Sequence, residues 1–396
     1  MLARRIRSVS EPLIDTFNRR TRALAVRGVN VISLGQALPG LAPPRTALVA
    51  ARRALDRPET HVYSPDAGRP ELQRAVARWI ARHDGFTVDP DTQIVVSAGA
   101  NQALMLALQC VVDAGERVLL PSPYFMNHEM AVRLVDAVPV EVPTSAQEGW
   151  VITARRLFQG PGRNARAAII TTPSNPTGAV VPDIELRRIQ RECARHGMHL
   201  IVDRTYAGFE HERQPEPARL KRLPENVVLV GSFSKAFGMT GWRVGYLAGS
   251  PALIREALKA QDTTIICAPT IGQIAVAAAL EARASVAPAF MRELRRRRDY
   301  VQERMGTMKG WSAVPAAGGF FAFVRIAGLK DSTTFAFDLL DKTHVLVMPG
   351  RIFGRAGEGH IRISYGVADV PTLESAFDRM LRFAPPRAAS SSKGQR

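Results

Sequence analysis

Lys235 stands in the run Ser232-Phe233-Ser234-Lys235-Ala236-Phe237-Gly238-Met239-Thr240-Gly241-Trp242-Arg243-Val244-Gly245, just past the apolar stretch Val227-Val228-Leu229-Val230. Such a stretch reads as a buried strand. An ammonium beside it costs stability unless it is neutral or hydrogen-bonded. A lysine that condenses with an aldehyde cofactor to an imine escapes much of that cost and gains a chemical role. Arg243, eight residues on among glycines, has the charge to hold an anionic group of the same cofactor.

Other chemistry-bearing residues fall at strand ends. Ser97-Ala98-Gly99-Ala100-Asn101 follows a strand and opens a helix, where small residues leave backbone N–H groups and a positive helix end facing an anion. Ser174-Asn175-Pro176-Thr177-Gly178 is a turn by composition, after the strand Ala167–Thr171. Asp203 closes the strand His199-Leu200-Ile201-Val202, and open α/β sheets place ligand-binding groups at the carboxyl ends of buried parallel strands. Arg362, in His360-Ile361-Arg362-Ile363-Ser364-Tyr365, offers a planar guanidinium that fits a carboxylate with two parallel hydrogen bonds.

The spacing Ser-x-Ser-Lys-x2-Gly-x2-Gly-x-Arg-x-Gly resembles the pyridoxal-phosphate attachment signature of the class I/II aminotransferases, the aspartate aminotransferase superfamily of fold type I. The resemblance runs from about residue 10 to 385, with every main motif in order. It implies a Schiff base between pyridoxal 5′-phosphate and Lys235. Gly99, Ala100, Asn101, Ser232 and Arg243 would then hold the phosphate. Phe125, in Pro121-Ser122-Pro123-Tyr124-Phe125, would stack on the pyridine ring. Asp203 would keep the pyridine nitrogen protonated, so that the charged ring draws electrons. Asn175 and Tyr206 would bond the phenolic oxygen, and Arg362 with the Gly35 N–H would take the substrate's α-carboxylate.

Two departures from the family pattern stand out. His128 falls where many relatives carry Tyr, which suggests a substrate contact. Many relatives read Asp-Glu-x-Tyr, whereas this chain has Asp203-Arg204-Thr205-Tyr206, and Arg204 is expected to point away from the ring. Tyr63, in His61-Val62-Tyr63-Ser64-Pro65-Asp66-Ala67-Gly68, resembles a segment that reaches across a subunit interface to the partner's phosphate, which implies a homodimer.

These residues need a scaffold, and the apolar pattern supplies one. Short continuous apolar runs (94–96, 117–120, 137–142, 167–171, 198–202, 227–230, 244–248) alternate with amphipathic segments such as 70–84, 102–112, 125–135 and 183–196. Such alternation predicts a mostly parallel sheet with helices on both faces, the large domain of an α/β protein. A long helical stretch is expected from Thr270 to about Gly306. Strands at 320–326, 345–348 and 360–364 with helices at 333–341 and 372–382 then make a smaller α+β domain. The expected division is 1–44 as an N-terminal segment serving the small domain and the site, 45–275 as the large cofactor-binding domain, 276–385 as the small domain, and 386–396 as a disordered tail.

At 396 residues, 46% hydrophobic and 22% charged, the composition is that of an ordinary globular protein. No apolar run approaches the ~20 residues that cross a bilayer, and the basic N-terminus has no apolar segment behind it, so a cytoplasmic protein is expected. Three scattered cysteines, Cys110, Cys193 and Cys267, suggest neither disulfides nor a metal site. The net charge of +17 comes almost wholly from arginine, since only seven lysines occur. It is spread along the chain without interleaved aromatics, which argues for a solvated surface and against nucleic-acid binding.

An aminotransferase working by a ping-pong route between an L-amino acid and a 2-oxo acid is the leading expectation. The same scaffold supports pyridoxal-phosphate lyases, replacement enzymes and oxidases. Arginine-oxidising relatives depend on an N-terminal histidine, and none occurs here before His61. A transcriptional regulator with this domain comes last, because about 30 residues before Val31 are too few for a winged helix.

Overall fold

The computed structural model describes residues 2–159, 164–212, 222–282 and 286–383. After a helix at Leu13–Val26 comes the short strand β1 (Ile32–Ser33). The main sheet follows: β2 (Ile94–Ser97), β3 (Arg117–Ser122), β4 (Val138–Pro143), β5 (Ala167–Thr171), β6 (His199–Asp203), β7 (Val227–Ser232) and β8 (Gly245–Ala248). Their order across the sheet is β2-β8-β7-β6-β5-β3-β4. All neighbours run parallel except β8, which is antiparallel to both β2 and β7.

Every residue of β2, β7 and β8 is buried because both faces are covered. Successive side chains alternate between two cores. Val228 and Val230 pack with Val95, Ile201 and Leu247 on one face. Val227 and Leu229 pack with Ile94, Leu200 and Val202 on the other.

In register, Thr171 pairs with Asp203 and Asp203 with Val230. The carboxyl ends of β5, β6 and β7 therefore lie side by side, and each is followed directly by residues with chemistry.

A second sheet, β9 (Trp311–Ala313), β10 (Phe321–Ile326), β12 (Met348–Pro349) and β13 (His360–Ser364), is antiparallel with order β12-β13-β10-β9. The strand β11 (Val345–Leu346) leaves that sheet and pairs with β1 in parallel, tying the N-terminal segment beside it. The stretch expected as one strand at 345–348 thus serves two sheets.

Three further expectations are corrected. The long helix after Thr270 is two helices, Thr270–Glu281 and Pro288–Thr307, the second opened by a proline at its first position. The helix Pro251–Ile265 was not anticipated, although Ser250 accepts from the Leu253 N–H and Pro251 starts it. The short β9 was also missed. The tail expected to be disordered lies outside the described residues.

Candidate active site

Asp203 ends β6 almost wholly buried. Its Oδ1 accepts from the Thr205 N–H at 2.9 Å and the Thr205 hydroxyl at 2.6 Å. Its Oδ2 lies 3.0 Å from His128 Nε2. A carboxylate has about four acceptor sites, so these bonds leave Oδ2 capacity for one further donor. Burial pushes the Asp203 pKa up, but the His128 and Thr205 bonds outweigh it and hold the group below its ordinary value. An ionised carboxylate in this place is what a protonated pyridine nitrogen requires. His128 therefore faces Asp203, which corrects the expectation of a substrate contact.

Lys235 follows β7 in a single helical turn, Phe233–Ala236, capped by the Ser232 side chain accepting from the Ser234 N–H at 3.1 Å. Lys235 Nζ donates to the Ala37 carbonyl at 2.6 Å. Burial first, then the charges of Arg362 and Arg243, lower its pKa to about 8. A substantial fraction of the amine is thus neutral near physiological pH, as a nucleophile toward an aldehyde must be.

The corner expected to hold an anion is built from residues beside β2, β7 and β8. Gly99 has φ +85° and ψ 171°, a conformation essentially restricted to glycine, and a Cβ there would run into the Arg243 guanidinium. The helix Ala100–Val111 starts at Gly99 with no side-chain cap, so the first-turn N–H groups at Ala100 and Asn101 carry a helix's positive end. Arg243 is itself left-handed at φ +53°. It donates to the Thr240 carbonyl at 2.9 Å and the Ala98 carbonyl at 3.3 Å, and reaches the Ser234 hydroxyl at 3.4 Å. Ser232 and Ser234 hydroxyls meet at 2.8 Å.

Arg362 is 1% exposed. It donates to Asn175 Oδ1 at 2.7 Å and to the Gly35 carbonyl, while its buried Nε has no partner. Its guanidinium sits between the Phe321 and Phe353 rings, 4.9 and 5.0 Å from their centroids. Burial lowers its pKa to about 10, only partly offset by Tyr206, and among the described residues no carboxylate contributes to its environment. A cation held this way suits an incoming carboxylate. Gly35 meets Arg362 through its carbonyl, where the resemblance implied a role for its N–H. A Cβ at Gly35 would strike the side chains of Met348 and Leu346.

Tyr206 is buried near Asn175; burial holds its hydroxyl protonated by raising its pKa, with Arg362 opposing. Phe125 precedes the helix Met126–Leu134 and meets His128 edge to face at 5.6 Å. Arg204 turns away toward Asp84, 2.7 Å distant. Tyr63 stands apart, 76% exposed.

Sequence reasoning missed the supporting shell: Thr205, Ser234, the Ala37 carbonyl and the two rings around Arg362. Only Thr205 and Ser234 had a local signal, a hydroxyl two residues from Asp203 and from Ser232.

The arrangement brings a buried lysine of lowered pKa and a buried carboxylate at the carboxyl ends of the main sheet together with the Gly99–Arg243 corner and, from the second sheet, the buried Arg362. This is the fold-type-I pyridoxal-phosphate transferase architecture. The aminotransferase class I and II family model matches residues 29–380, and the chain belongs to that family. Aromatic-amino-acid aminotransferase 2 of Thermococcus litoralis is 37% identical over 356 residues, covering 88% of this chain and 90% of that protein. The aspartate/prephenate aminotransferase of Thermus thermophilus is 32% identical over 385 residues, covering 96% and 98%. The solved structure of a Thermus thermophilus aspartate aminotransferase with maleate superposes with a TM-score of 0.87 at 31% identity, covering 96% and 99%. The protein is a pyridoxal-phosphate-dependent aminotransferase. Among the described residues, no helix is long and apolar enough to cross a membrane.

Proposed function

We propose that this enzyme moves the amino group of an L-amino acid to a 2-oxo acid in two half-reactions, with Lys235 as attachment point and proton carrier. The observation that carries the reading is the convergence of a lysine with pKa near 8 on a buried arginine that has no carboxylate partner among the described residues. Pyridoxal phosphate, when bound, supplies an aldehyde to hold the amino group and a ring to take up the electron pair left at the α-carbon.

The residues divide the remaining work. Gly99, Ala100 and Asn101 at the helix start, with Ser232 and Arg243, hold the phosphate. Asp203 holds a proton at the pyridine nitrogen, and Phe125 covers a ring face. Asn175 and Tyr206 donate to the phenolic oxygen. Arg362 takes the substrate's α-carboxylate between the Phe321 and Phe353 rings, with Asn175 and Gly35 fixing its fork. Lys235, near neutrality once freed, takes the substrate's α-proton as a general base and returns it as an acid.

Tyr63 belongs to a second copy's site in this reading. Its side chain and the neighbouring Val62, 62% exposed, leave an apolar surface for a twofold partner to cover.

The test is a screen of amino donors and 2-oxo acceptors against the reconstituted enzyme, following the cofactor's absorbance, with Lys235→Ala as control. Parallel-line kinetics with one donor–acceptor pair, absent in the control, are expected. A donor that bleaches the absorbance while no oxo acid restores it would overturn the transaminase reading. Sedimentation should give a dimer, and Tyr63→Ala should weaken cofactor retention.

A further inference from the structure

Arg204, one of the two residues that depart from the family's pattern, is joined to the ends of β5 and β7, the two neighbours of its own strand. Its backbone N–H donates to the Val230 carbonyl at 2.8 Å, tying β6 to the strand that leads to Lys235. Its side chain is 10% exposed and crosses the other way. There its terminal nitrogens donate to the Thr172 carbonyl at 2.6 Å and the His83 carbonyl at 3.3 Å. Nε lies 2.7 Å from Asp84 Oδ1, and Glu210 stands 3.9 Å off.

Thr172 is the anchor of the loop that carries Asn175. Its N–H donates to the Asp203 carbonyl at 3.1 Å, and its hydroxyl accepts from the Val181 N–H at 3.0 Å, closing the loop at its far end. The Arg204 fork thus grips the root of the Asn175 loop. It fastens that root to the end of the helix Pro70–His83. Asn175 in turn bonds Arg362 and lies near Tyr206.

Accordingly, we propose that Arg204 is a positioning residue, which sets the Asn175 side chain relative to Asp203 and Tyr206 by clamping Thr172 against Asp84 and His83. The proposal rests on the reading above in which Asn175 and Tyr206 donate to the cofactor's phenolic oxygen. Burial works against the Arg204 charge, but Asp84 and Glu210 outweigh it and raise the pKa above its ordinary value. The neighbouring His83 stays neutral, because burial, then Arg204 and Arg82, bring its pKa to about 3. Arg204 therefore keeps its charge throughout the working pH range, while burial raises the pKa of its partner Asp84 above the ordinary carboxyl value. A planar fork is needed, since one ammonium cannot span Asp84 and two carbonyls in these directions. Arg204, His83, Asp84 and Glu210 also line a cavity of about 590 Å³, on the same face as Leu200, Val202, Val227 and Leu229. That cavity gives a small cation a route to the clamp.

The test titrates the visible absorbance of the cofactor-bound enzyme against pH. Donors to the phenolic oxygen favour its anionic form and lower the midpoint, so loosening one raises it. Asn175→Ala is expected to raise the midpoint by roughly one unit, and Arg204→Met by a comparable amount. The double variant should shift no further than the larger single change, because the two act on one interaction. Arg204→Lys should keep the fold but recover less than half of the shift. In Arg204→Ala, added guanidinium should move the midpoint back toward wild type, whereas sodium at equal ionic strength should not. If Asn175→Ala moves the midpoint while Arg204→Met and Arg204→Lys do not, the clamp is refuted and Arg204 is a stabilising ion pair only. If Asn175→Ala itself leaves the midpoint fixed, the Asn175 reading fails and the clamp falls with it.

Discussion

His128 Nε2 and Asp203 Oδ2 lie 3.0 Å apart, and both side chains are almost fully buried. The pair joins the start of the helix Met126–Leu134 to the end of β6. It aims one carboxylate oxygen while the Thr205 bonds hold the other. Hydrogen bonds to a charged group contribute about 1.5–3 kcal/mol. His128→Phe should therefore lower kcat by about 10- to 100-fold at neutral pH with little change in KM, read by steady-state kinetics.

The same pair sets a pH dependence of stability. Asp203 in the folded state binds its proton more weakly than the ordinary carboxyl of ~3.9 does in the unfolded chain. Its contribution is thus complete above that value and is lost as pH falls through the lower folded value. His128→Phe removes part of the cause. The urea midpoint of the wild type should exceed that of the variant most near neutral pH, and the gap should narrow below about pH 4.

Lys235 offers a second titration. Its amine, at about 8, is neutral far below the range of an exposed lysine. The rate of cofactor attachment to the cofactor-free protein should rise with pH, reach half its maximum near 8 and then level off. Stopped-flow absorbance reads this directly. Arg362 is the second cause of the shift, after burial. Arg362→Met should therefore move the half-maximum upward, and an unmoved half-maximum would show that Arg362 has no part in setting it.

Much of this was legible in the chain because the chemistry interrupts strong patterns. Asp203 and Lys235 each end an apolar run that only a buried strand explains, and the glycines around Arg243 had no use in a helix or strand. His128 and Arg204 were not legible in the same way. Their partners, Asp203 for one and Asp84 with Thr172 for the other, are brought near by strand order and helix packing, which no local period encodes. Nor could hydropathy divide Val345-Leu346 from Met348-Pro349, since both pairs are buried and only the partner strand differs.

Arg362 predicts opposite signs for binding and stability. Removing one member of a buried, hydrogen-bonded charge pair costs about 2–5 kcal/mol in binding, so Arg362→Met should raise KM for the amino acid about 30-fold or more. In the ligand-free protein the same cation is buried without a carboxylate, an arrangement that apolar replacement commonly relieves. The unfolding temperature without substrate should stay level or rise. A fall of many degrees would instead mark Arg362 as a structural tie between β13 and the Asn175 loop.

Gly99 and Gly241 lie at the two ends of the Arg243 corner and should respond differently to the same change. Gly99 has φ +85°, and an added methyl would meet the Arg243 guanidinium, whereas a methyl at Gly241 meets nothing within 4 Å. Gly99→Ala carries backbone strain of about 1–3 kcal/mol and also displaces the cation proposed to hold the phosphate. Cofactor dissociation, measured by equilibrium dialysis, should weaken more than tenfold, with a lower unfolding temperature. Gly241→Ala should leave both nearly unchanged. Equal losses in the two variants would mean that this corner tolerates no added bulk anywhere, and that the contact between Gly99 and Arg243 has no special part in holding the phosphate.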